Sequence, residues 1–299
     1  MRVQIITVPY RYDERNDGLG RGPQALVDAG IAAILQAAGH DVCGPVDVTL
    51  PDEERVSGPI SVNIGRLGSH TAEQIHATRA ADHVALVLAG DDTASIGVVA
   101  GLQRAHGAGA RIGLVWVDAH GDFNTPETSY SGILAGMPVA ILAGLAGPLW
   151  REAAGLAAPL PTDRILIAGP RELDEKEEAL LRSTDVQLLT NSDLRDADQL
   201  TRAIQRLAAN VDLISVHIDL DVLDPSLVPS ASTPARGGMM IGEAATLISQ
   251  LLETGKVAVV AIAGLNPGAG ERGKQSVNST LELARRVFGT WAFHGEDGE

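Results

Sequence analysis

The sequence of 299 residues is poor in cysteine, in aromatic side chains and in positive charge. The single cysteine, Cys43, excludes an internal disulfide and is typical of a reducing compartment. Aromatic residues make up 3% of the chain and hydrophobic residues 45%, so aliphatic side chains must fill the core. Lys and Arg number 23 against 38 Asp and Glu, and the net charge of −15 argues against nucleic acid or an anionic membrane as a partner.

The sequence also lacks the patterns of targeting segments. Its first residues have neither the long apolar region nor the small-residue cleavage site of a signal peptide, and no apolar run reaches transmembrane length. We therefore expect a cytoplasmic protein without a membrane partner. No linker, repeat or break in charge marks a boundary, so we expect one domain over residues 1–299. The oligomeric state is left open, and the sequence is compatible with a homo-oligomer.

Apolar strand-like runs alternate with helical patterns along the chain. The expected strands are 3–8, 84–88, 112–117, 165–168, 213–218 and 257–262. The expected helices begin at Gly22-Pro23 and continue with 94–106, 134–145, 175–182, 196–209, 241–254 and 277–288. This alternation predicts an α/β fold in which a parallel sheet is covered on both faces. Ligands of such sheets bind beyond the carboxyl ends of the strands.

Two clusters of carboxylates follow two of these apolar runs. The first, Asp118-Ala-His120-Gly-Asp122, brings three side chains of metal-ligand type together directly after the run 112–117. The second, Asp219-Leu-Asp221, sends both carboxylates to the same side because side chains alternate along a strand. Burying so many carboxylates without counter-charge is costly, which makes divalent cations their natural partners. Together the clusters predict a two-metal hydrolytic site.

Three motifs, in their order along the chain, resemble those of the arginase/agmatinase (ureohydrolase) superfamily. The family's Gly-Gly-Asp-His-Ser appears as Ala89-Gly-Asp-Asp-Thr93, and its Asp-Ala-His-x-Asp-x-Asn appears at 118–124. Its Ser-x-Asp-x-Asp-x-x-Asp-Pro appears as His217-Ile-Asp-Leu-Asp-Val-Leu-Asp-Pro225. Shorter matches at Gly22-Pro23 and Asn266-Pro267 extend the resemblance over nearly the whole chain. We interpret the chain as a divergent arginase-like member.

The resemblance implies a three-layer α/β/α fold with a mainly parallel sheet of about eight strands. It also implies two Mn²⁺ ions held by Asp92, Asp118, His120, Asp122, Asp219 and Asp221. In this assignment Asp118 and Asp219 bridge both ions, and Asp122 is also the candidate catalytic residue. Ligands rich in oxygen suit manganese and leave Mg²⁺ or Co²⁺ possible. In the family, a hydroxide bridging the metals attacks a guanidino carbon, so the implied activity is hydrolysis of C–N bonds in linear amidines.

On the substrate side, the resemblance implies a site for the tail of an amino acid. Asn124, Ser129 and Ser131 match or nearly match positions that face an α-carboxylate. Asp174 and Glu177 match acidic residues that face an α-amino group. For these two acidic residues, a plain solvated helix face is an equally strong interpretation. The predicted partner is thus a small guanidino or related molecule.

Four positions depart from the family pattern. Asp92 replaces a ligand histidine, and Ile133 and Ala135 replace an asparagine and the histidine that arginase uses as a proton shuttle. Gly264 replaces the glutamate that receives the guanidinium. These changes favour a headgroup less basic than that of L-arginine, such as the hydroxyguanidine of N-hydroxy-arginine. The alternatives are a hydrolase of another linear amide or formimidoyl compound, and a non-catalytic metal-binding homologue.

Three local interpretations stay open at this point. Asp91 and Asp92 precede a helix, so Asp91 could cap that helix while Asp92 binds metal. For His217 a packed core histidine is favoured over a metal ligand, and a hydrogen bond to a carboxylate is the alternative. The segment 10–15 could overhang the site, although an ordinary surface loop is the stronger expectation.

Overall fold

The computed structural model describes residues 1–289 and residue 291. Its strands are β1 (Arg2–Val8), β2 (Tyr10–Arg11), β3 (Glu14–Arg15), β4 (Asp41–Asp47), β5 (Val84–Ala89), β6 (Ile112–Val117), β7 (Ile165–Ala168), β8 (Gln187–Leu189), β9 (Leu213–Asp219) and β10 (Val257–Ala263). Eight of them form one sheet in the order β4-β1-β5-β10-β9-β6-β7-β8, and all neighbours in it are parallel. The remaining two, β2 and β3, form a short antiparallel hairpin.

Helices cover both faces of this sheet. They are α1 (Gly22–Asp28), α2 (Ile31–Ala37), α3 (Ile60–Ala80), α4 (Ser95–His106), α5 (Pro138–Leu142), α6 (Pro148–Ala154), α7 (Glu175–Arg182), α8 (Asn191–Arg195), α9 (Ala197–Asn210), α10 (Ile241–Glu253) and α11 (Glu271–Gly289). Within the described residues, no helix is both long enough and apolar enough to cross a bilayer.

Each face of the sheet closes its own hydrophobic core, because strand side chains alternate between the two faces. On one face, Val216 of β9 packs in a core that includes Leu35 of α2 and Leu251 of α10. On the other face, Trp116 of β6 packs in a core that includes Leu102 of α4. The predicted α/β class, with a parallel eight-stranded sheet between helical layers, is confirmed. The assignment of residues 1–299 to a single domain stays a prediction.

The sequence prediction omits the long helix α3 and both edge strands. Helix α3 contains Gly65 and Gly68, which are poor helix formers. Packing requires small residues here, because a Cβ built on Gly97 of α4 would lie 2.4 Å from the carbonyl oxygen of Gly68. The edge strand β4 is largely exposed and therefore lacks a continuous apolar run. In both cases, tertiary contacts override the local pattern.

The predicted helix 134–145 is wrong. It divides into a single 3₁₀ turn, Leu134–Gly136, and the short helix α5. Pro138 lacks an N–H group, so it suits the first turn of a helix. For the same reason, a helix that begins before Pro138 cannot continue through it. The break lies beside the first acidic cluster, where the Val139 N–H donates to the Asp122 carbonyl at 2.9 Å. Other expected helices agree with the structure except for shifts at their ends.

Candidate metal centre

The acidic side chains meet at the carboxyl ends of four neighbouring strands, β5, β10, β9 and β6. Asp91 and Asp92 follow β5, Asp118 follows β6, and Asp219 ends β9. Gly264 follows β10, where its N–H donates to the Gly90 carbonyl at 3.1 Å. Parallel neighbours end at the same edge of the sheet, so residues far apart in sequence converge there.

All six predicted metal ligands line one cavity of about 560 Å³. Candidate ligand atoms of Asp92, Asp118 and Asp122 lie within 4.8 Å of one another. The same holds for Asp118, His120 and Asp221, so Asp118 belongs to both groups. Asp219 lines the cavity beside them and accepts a 2.7 Å hydrogen bond from the Asp221 N–H. This arrangement offers two adjoining cation positions.

Backbone and side-chain donors fix the orientation of these carboxylates. Asp118 accepts from Trp116 Nε1 at 3.0 Å and from the His120 N–H at 2.7 Å. Asp221 accepts from the Ala119 N–H at 3.1 Å and from the Thr233 hydroxyl at 2.8 Å. Each carboxylate is therefore held in place by the chain itself, as groups around metal ligands commonly are.

Asp122 carries a buried carboxylate oxygen, Oδ2, that has no hydrogen-bond partner among the described residues. Its backbone also adopts φ +45°, a conformation that side-chain-bearing residues rarely take. A buried acceptor without a partner is costly, and strained backbone at such a position is a common feature of functional sites. A divalent cation between Asp122 and its acidic neighbours would satisfy the oxygen. The residues present therefore fit a metal centre.

The charges of the cluster repel one another. Burial, and then the negative charge of nearby carboxylates, raises the pKa of Asp118, Asp122 and Asp219 well above 3.8. Burial alone would lower the pKa of His120, but hydrogen bonds to Asp118 and Asp221 raise it to about 11. The protein thus gathers more negative charge than one imidazolium can balance. Cations are the natural counter-charge for this set.

Asp91 and Asp92 divide the two roles that the sequence suggested. Asp91 accepts from the Thr93 N–H at 3.0 Å, which caps the turn leading into α4, and from the Tyr12 N–H at 2.7 Å. Burial raises the pKa of Asp91 to about 6. Asp92 instead belongs to the carboxylate cluster. There it accepts a 2.8 Å hydrogen bond from Nε2 of His217, which corresponds to the alternative interpretation of that histidine.

The segment 10–15 is not an ordinary surface loop, and that expectation was wrong. Arg11 and Tyr12 line the cavity, and Tyr12 adopts φ +57°. Burial raises the pKa of the Tyr12 phenol, whereas hydrogen bonding from the backbone of Ala135 and Leu134 acts in the opposite direction. The phenol therefore stands against the position where the resemblance places a histidine. No motif in the sequence pointed to Tyr12.

Four of the five predicted substrate-binding residues line the cavity, namely Asn124, Ser131, Asp174 and Glu177. Ser129 is not among the described residues that do so, and its hydroxyl accepts from the Gly132 N–H at 2.9 Å. Asn124 Nδ2 donates to Asp174 at 3.2 Å, so these two polar groups already face each other.

Glu177 is buried, which rules out a solvated helix face for this residue. It accepts hydrogen bonds from the Phe123 N–H at 2.8 Å and the Asp174 N–H at 3.3 Å. Two backbone donors therefore hold the Glu177 carboxylate in a structural role, and the side chain also lines the cavity.

Gly264 lies against the cluster rather than across an open space from it. Its φ is +85°, and a Cβ built there would lie 2.4 Å from Asp219 Oδ1. No side chain fits at this position unless Asp219 moves. Ala135 and Ile133 also line the cavity, and they make this part of its wall apolar.

Known proteins share this architecture. A sequence model of the Arginase family matches residues 1–289. The arginase of Agrobacterium fabrum is 30% identical over 97% of this chain and 91% of its own length. The native structure of Bacillus caldovelox arginase superposes with a TM-score of 0.83 at 27% identity, covering 97% of each chain. An Entamoeba histolytica arginase in complex with L-ornithine gives a TM-score of 0.85 at 24% identity over 96% of this chain and 98% of its own, which shows the shared fold alone.

Proposed function

The chain belongs to the arginase family of hydrolases, which act on C–N bonds in linear amidines and guanidines, and we propose that it is a binuclear manganese ureohydrolase for a guanidino compound less basic than L-arginine. The observation that carries the hydrolytic part is the pair of ligand groups that share Asp118, with the unpartnered Asp122 oxygen beside it. The choice of headgroup rests on Gly264, where a side chain would displace Asp219.

The proposed ligand sets extend the two groups in the cavity by Asp219, which lines it beside them. One ion would be held by Asp118, His120, Asp219 and Asp221, and the other by Asp92, Asp118, Asp122 and Asp219. Five of these six side chains donate oxygen, which favours Mn²⁺ and is compatible with Mg²⁺ or Co²⁺. When bound, such ions would lower the pKa of water and so supply hydroxide near neutral pH.

Two side chains are proposed to handle protons. Asp122 is the proposed acid–base residue, and the proton would be held by the carboxylate oxygen that does not bind the cation. Tyr12 replaces the missing histidine as a donor to the leaving nitrogen. Tyr12 lines the cavity, and its phenol lies near the backbone of Leu134 and Ala135. General acids of this kind contribute about 10²–10⁴-fold to rate.

The wall of the cavity favours a weakly basic headgroup on an amino-acid tail. A guanidinium needs a facing anion when it leaves water, and position 264 cannot provide one beside Asp219. A hydroxyguanidine has a lower pKa and needs this ion pair less. At the other end, Asn124, Ser131 and Asp174 offer hydrogen-bonding groups suited to an α-carboxylate and an α-amino group. N-hydroxy-arginine combines both features.

The test is a comparison of N-hydroxy-arginine and L-arginine as substrates of the Mn²⁺-loaded protein, followed through the ornithine that both would release. We expect kcat/KM to be at least tenfold higher for N-hydroxy-arginine. The matched control is Asp122→Asn, which keeps the shape of the side chain and should abolish turnover of both. Equal rates, or a preference for L-arginine, would overturn the assignment of the headgroup.

Gly264 also favours a second candidate, a hydrolase of a formimidoyl compound or another linear amide. Both headgroups are smaller than a guanidine, and a linear amide is in addition uncharged and needs no facing carboxylate. Release of formamide from formimidoyl amino acids, without ornithine from N-hydroxy-arginine, would support this candidate. Two bound ions without turnover of any compound would instead identify a non-catalytic metal-binding homologue.

A further inference from the structure

We propose that His217 is a positioning residue for Asp92. The two residues, called the exchanged pair below, together replace the histidine and serine that the family motifs carry at these positions, and they complete the metal centre. This inference rests on the proposed metal centre but not on the identity of the substrate. His217 Nε2 donates to Asp92 Oδ1 at 2.8 Å, and both side chains are buried. The bond occupies Asp92 Oδ1, so Oδ2 would be the oxygen that remains for a cation.

The surroundings of His217 indicate that its ring is held for this bond. Strand register places Trp116 of β6 beside His217 of β9, and their rings stack with centroids 3.8 Å apart at 11°. The other ring nitrogen, Nδ1, is buried and has no partner in the described part of the chain. A core histidine retained only for packing would carry this unpaired nitrogen without benefit. The contact with Asp92 gives the imidazole a function that an apolar residue of similar size cannot replace.

Trp116 links this pair to the rest of the cluster. Its Nε1 donates to Asp118 at 3.0 Å, while the face of its ring supports His217. One aromatic side chain therefore supports two carboxylates, Asp118 directly and Asp92 through His217 on the adjacent strand β9. His217 itself lies outside both groups of mutually close ligand atoms, so its position is behind Asp92 rather than in contact with a cation.

The motifs identify the pair as an exchange. The motifs that the sequence resembles carry a histidine at position 92 and a serine at position 217, the latter a difference in addition to the four departures discussed above; this chain carries aspartate and histidine there. Two departures separated by 125 residues thus meet in one hydrogen bond. If position 92 were histidine while His217 remained, two imidazoles would compete for the space of one. If His217 were serine while Asp92 remained, the carboxylate would lose its donor.

The geometry therefore predicts strong coupling between the two positions. We would measure Mn²⁺ stoichiometry and affinity, without substrate, for the full-length protein and for Asp92→His, His217→Ser and the double variant. Groups that orient metal ligands typically contribute about 10–100-fold to metal affinity. We expect each single variant to lose about that factor at one ion. We expect the double variant to recover most of it, which is the non-additivity of contacting residues.

Two further variants separate positioning from general stability. His217→Gln keeps an N–H donor and should retain more affinity than His217→Ser, even if both unfold at a lower temperature. His40→Ser is the matched control, because His40 is also buried and hydrogen-bonded, to the Phe288 carbonyl at 2.9 Å, but does not line the cavity. It should lower the unfolding temperature and leave Mn²⁺ affinity unchanged.

Additive losses in the double variant, or wild-type affinity in His217→Ser, would overturn the exchanged pair. If the wild-type protein took up fewer than two ions, the metal centre itself would be wrong and the pair with it. Absence of turnover with full ion binding and strong coupling would contradict the proposed activity and leave the exchanged pair supported.

Discussion

Substitution of Gly264 by alanine tests the central geometric argument about the substrate. The new methyl group would begin 2.4 Å from Asp219 Oδ1, well inside van der Waals contact, and the backbone there has φ +85°. Two separate penalties follow, one from the backbone and one from the displaced carboxylate. Both lower the free energy of unfolding, and the second also reduces Mn²⁺ affinity, because Asp219 is a proposed bridging ligand.

The size of each penalty can be worked from the structure. A side-chain-bearing residue in left-handed backbone costs about 1–2 kcal/mol relative to glycine. Moving Asp219 breaks its 2.7 Å hydrogen bond from the Asp221 N–H, and a hydrogen bond to a charged group is worth about 1.5–3 kcal/mol. Gly264→Ala should therefore lose about 2.5–5 kcal/mol, or roughly 5–10 °C in Tm at about 2 °C per kcal/mol for a chain of this size.

Gly39→Ala is the matched control for the backbone penalty. Gly39 has φ +86°, and nothing lies within 4 Å of a Cβ built there. This variant should lose only the backbone part, about 1–2 kcal/mol or roughly 2–4 °C, and should bind Mn²⁺ as the wild type does. Differential scanning calorimetry with and without Mn²⁺ gives both quantities for both variants.

The reasoning would be refuted if the two variants lost equal stability and Gly264→Ala kept full Mn²⁺ affinity. Position 264 could then accept a side chain, and the family's glutamate could stand there without disturbing Asp219. In that case Gly264→Glu should gain hydrolysis of L-arginine. Our expectation is the opposite, that Gly264→Glu binds Mn²⁺ poorly and does not hydrolyse L-arginine.

Three further predictions address the charges and the proton donor. The pKa values of four carboxyl groups are raised in the folded, metal-free protein, so it binds more protons there than the unfolded chain does; these groups are Asp91, Asp118, Asp122 and Asp219. The free energy of unfolding should therefore fall as the pH rises above about 4 and through the pKa of Asp91, about 6. The gain in Tm on adding Mn²⁺ should accordingly be larger at pH 8 than at pH 5, and an equal gain at both would contradict this. Asp122→Asn should raise the Tm of the protein in EDTA, because one repelling carboxylate is removed, and should reduce the gain from Mn²⁺; a lower Tm in EDTA would count against the repulsion. Tyr12→Phe should lower kcat about 10²-fold or more with little change in KM or ion stoichiometry, and an unchanged kcat would exclude Tyr12 as the proton donor.

The sequence by itself determined the class of fold and selected the residues that converge on the cavity. Asp118, His120 and Asp122 follow a buried apolar strand, and Asp219 ends another, although Asp221, expected on the same strand, lies in the 3₁₀ turn after it. Both patterns are local, because the period of a strand and the chemistry of a side chain do not depend on distant residues. Their convergence then follows from the common edge of a parallel sheet. The roles of these residues as ligands stay predictions.

Only the tertiary structure decided what surrounds those carboxylates. The contact of His217 with Asp92 joins two strand ends separated by 125 residues, and the approach of Tyr12 to Ala135 joins a hairpin to a distant turn. The same holds for Gly264, which appeared in the sequence as a lost glutamate and in the structure as a glycine that leaves space for Asp219. Such contacts depend on strand order and on how loops pack over the sheet edge. No local period encodes either of them.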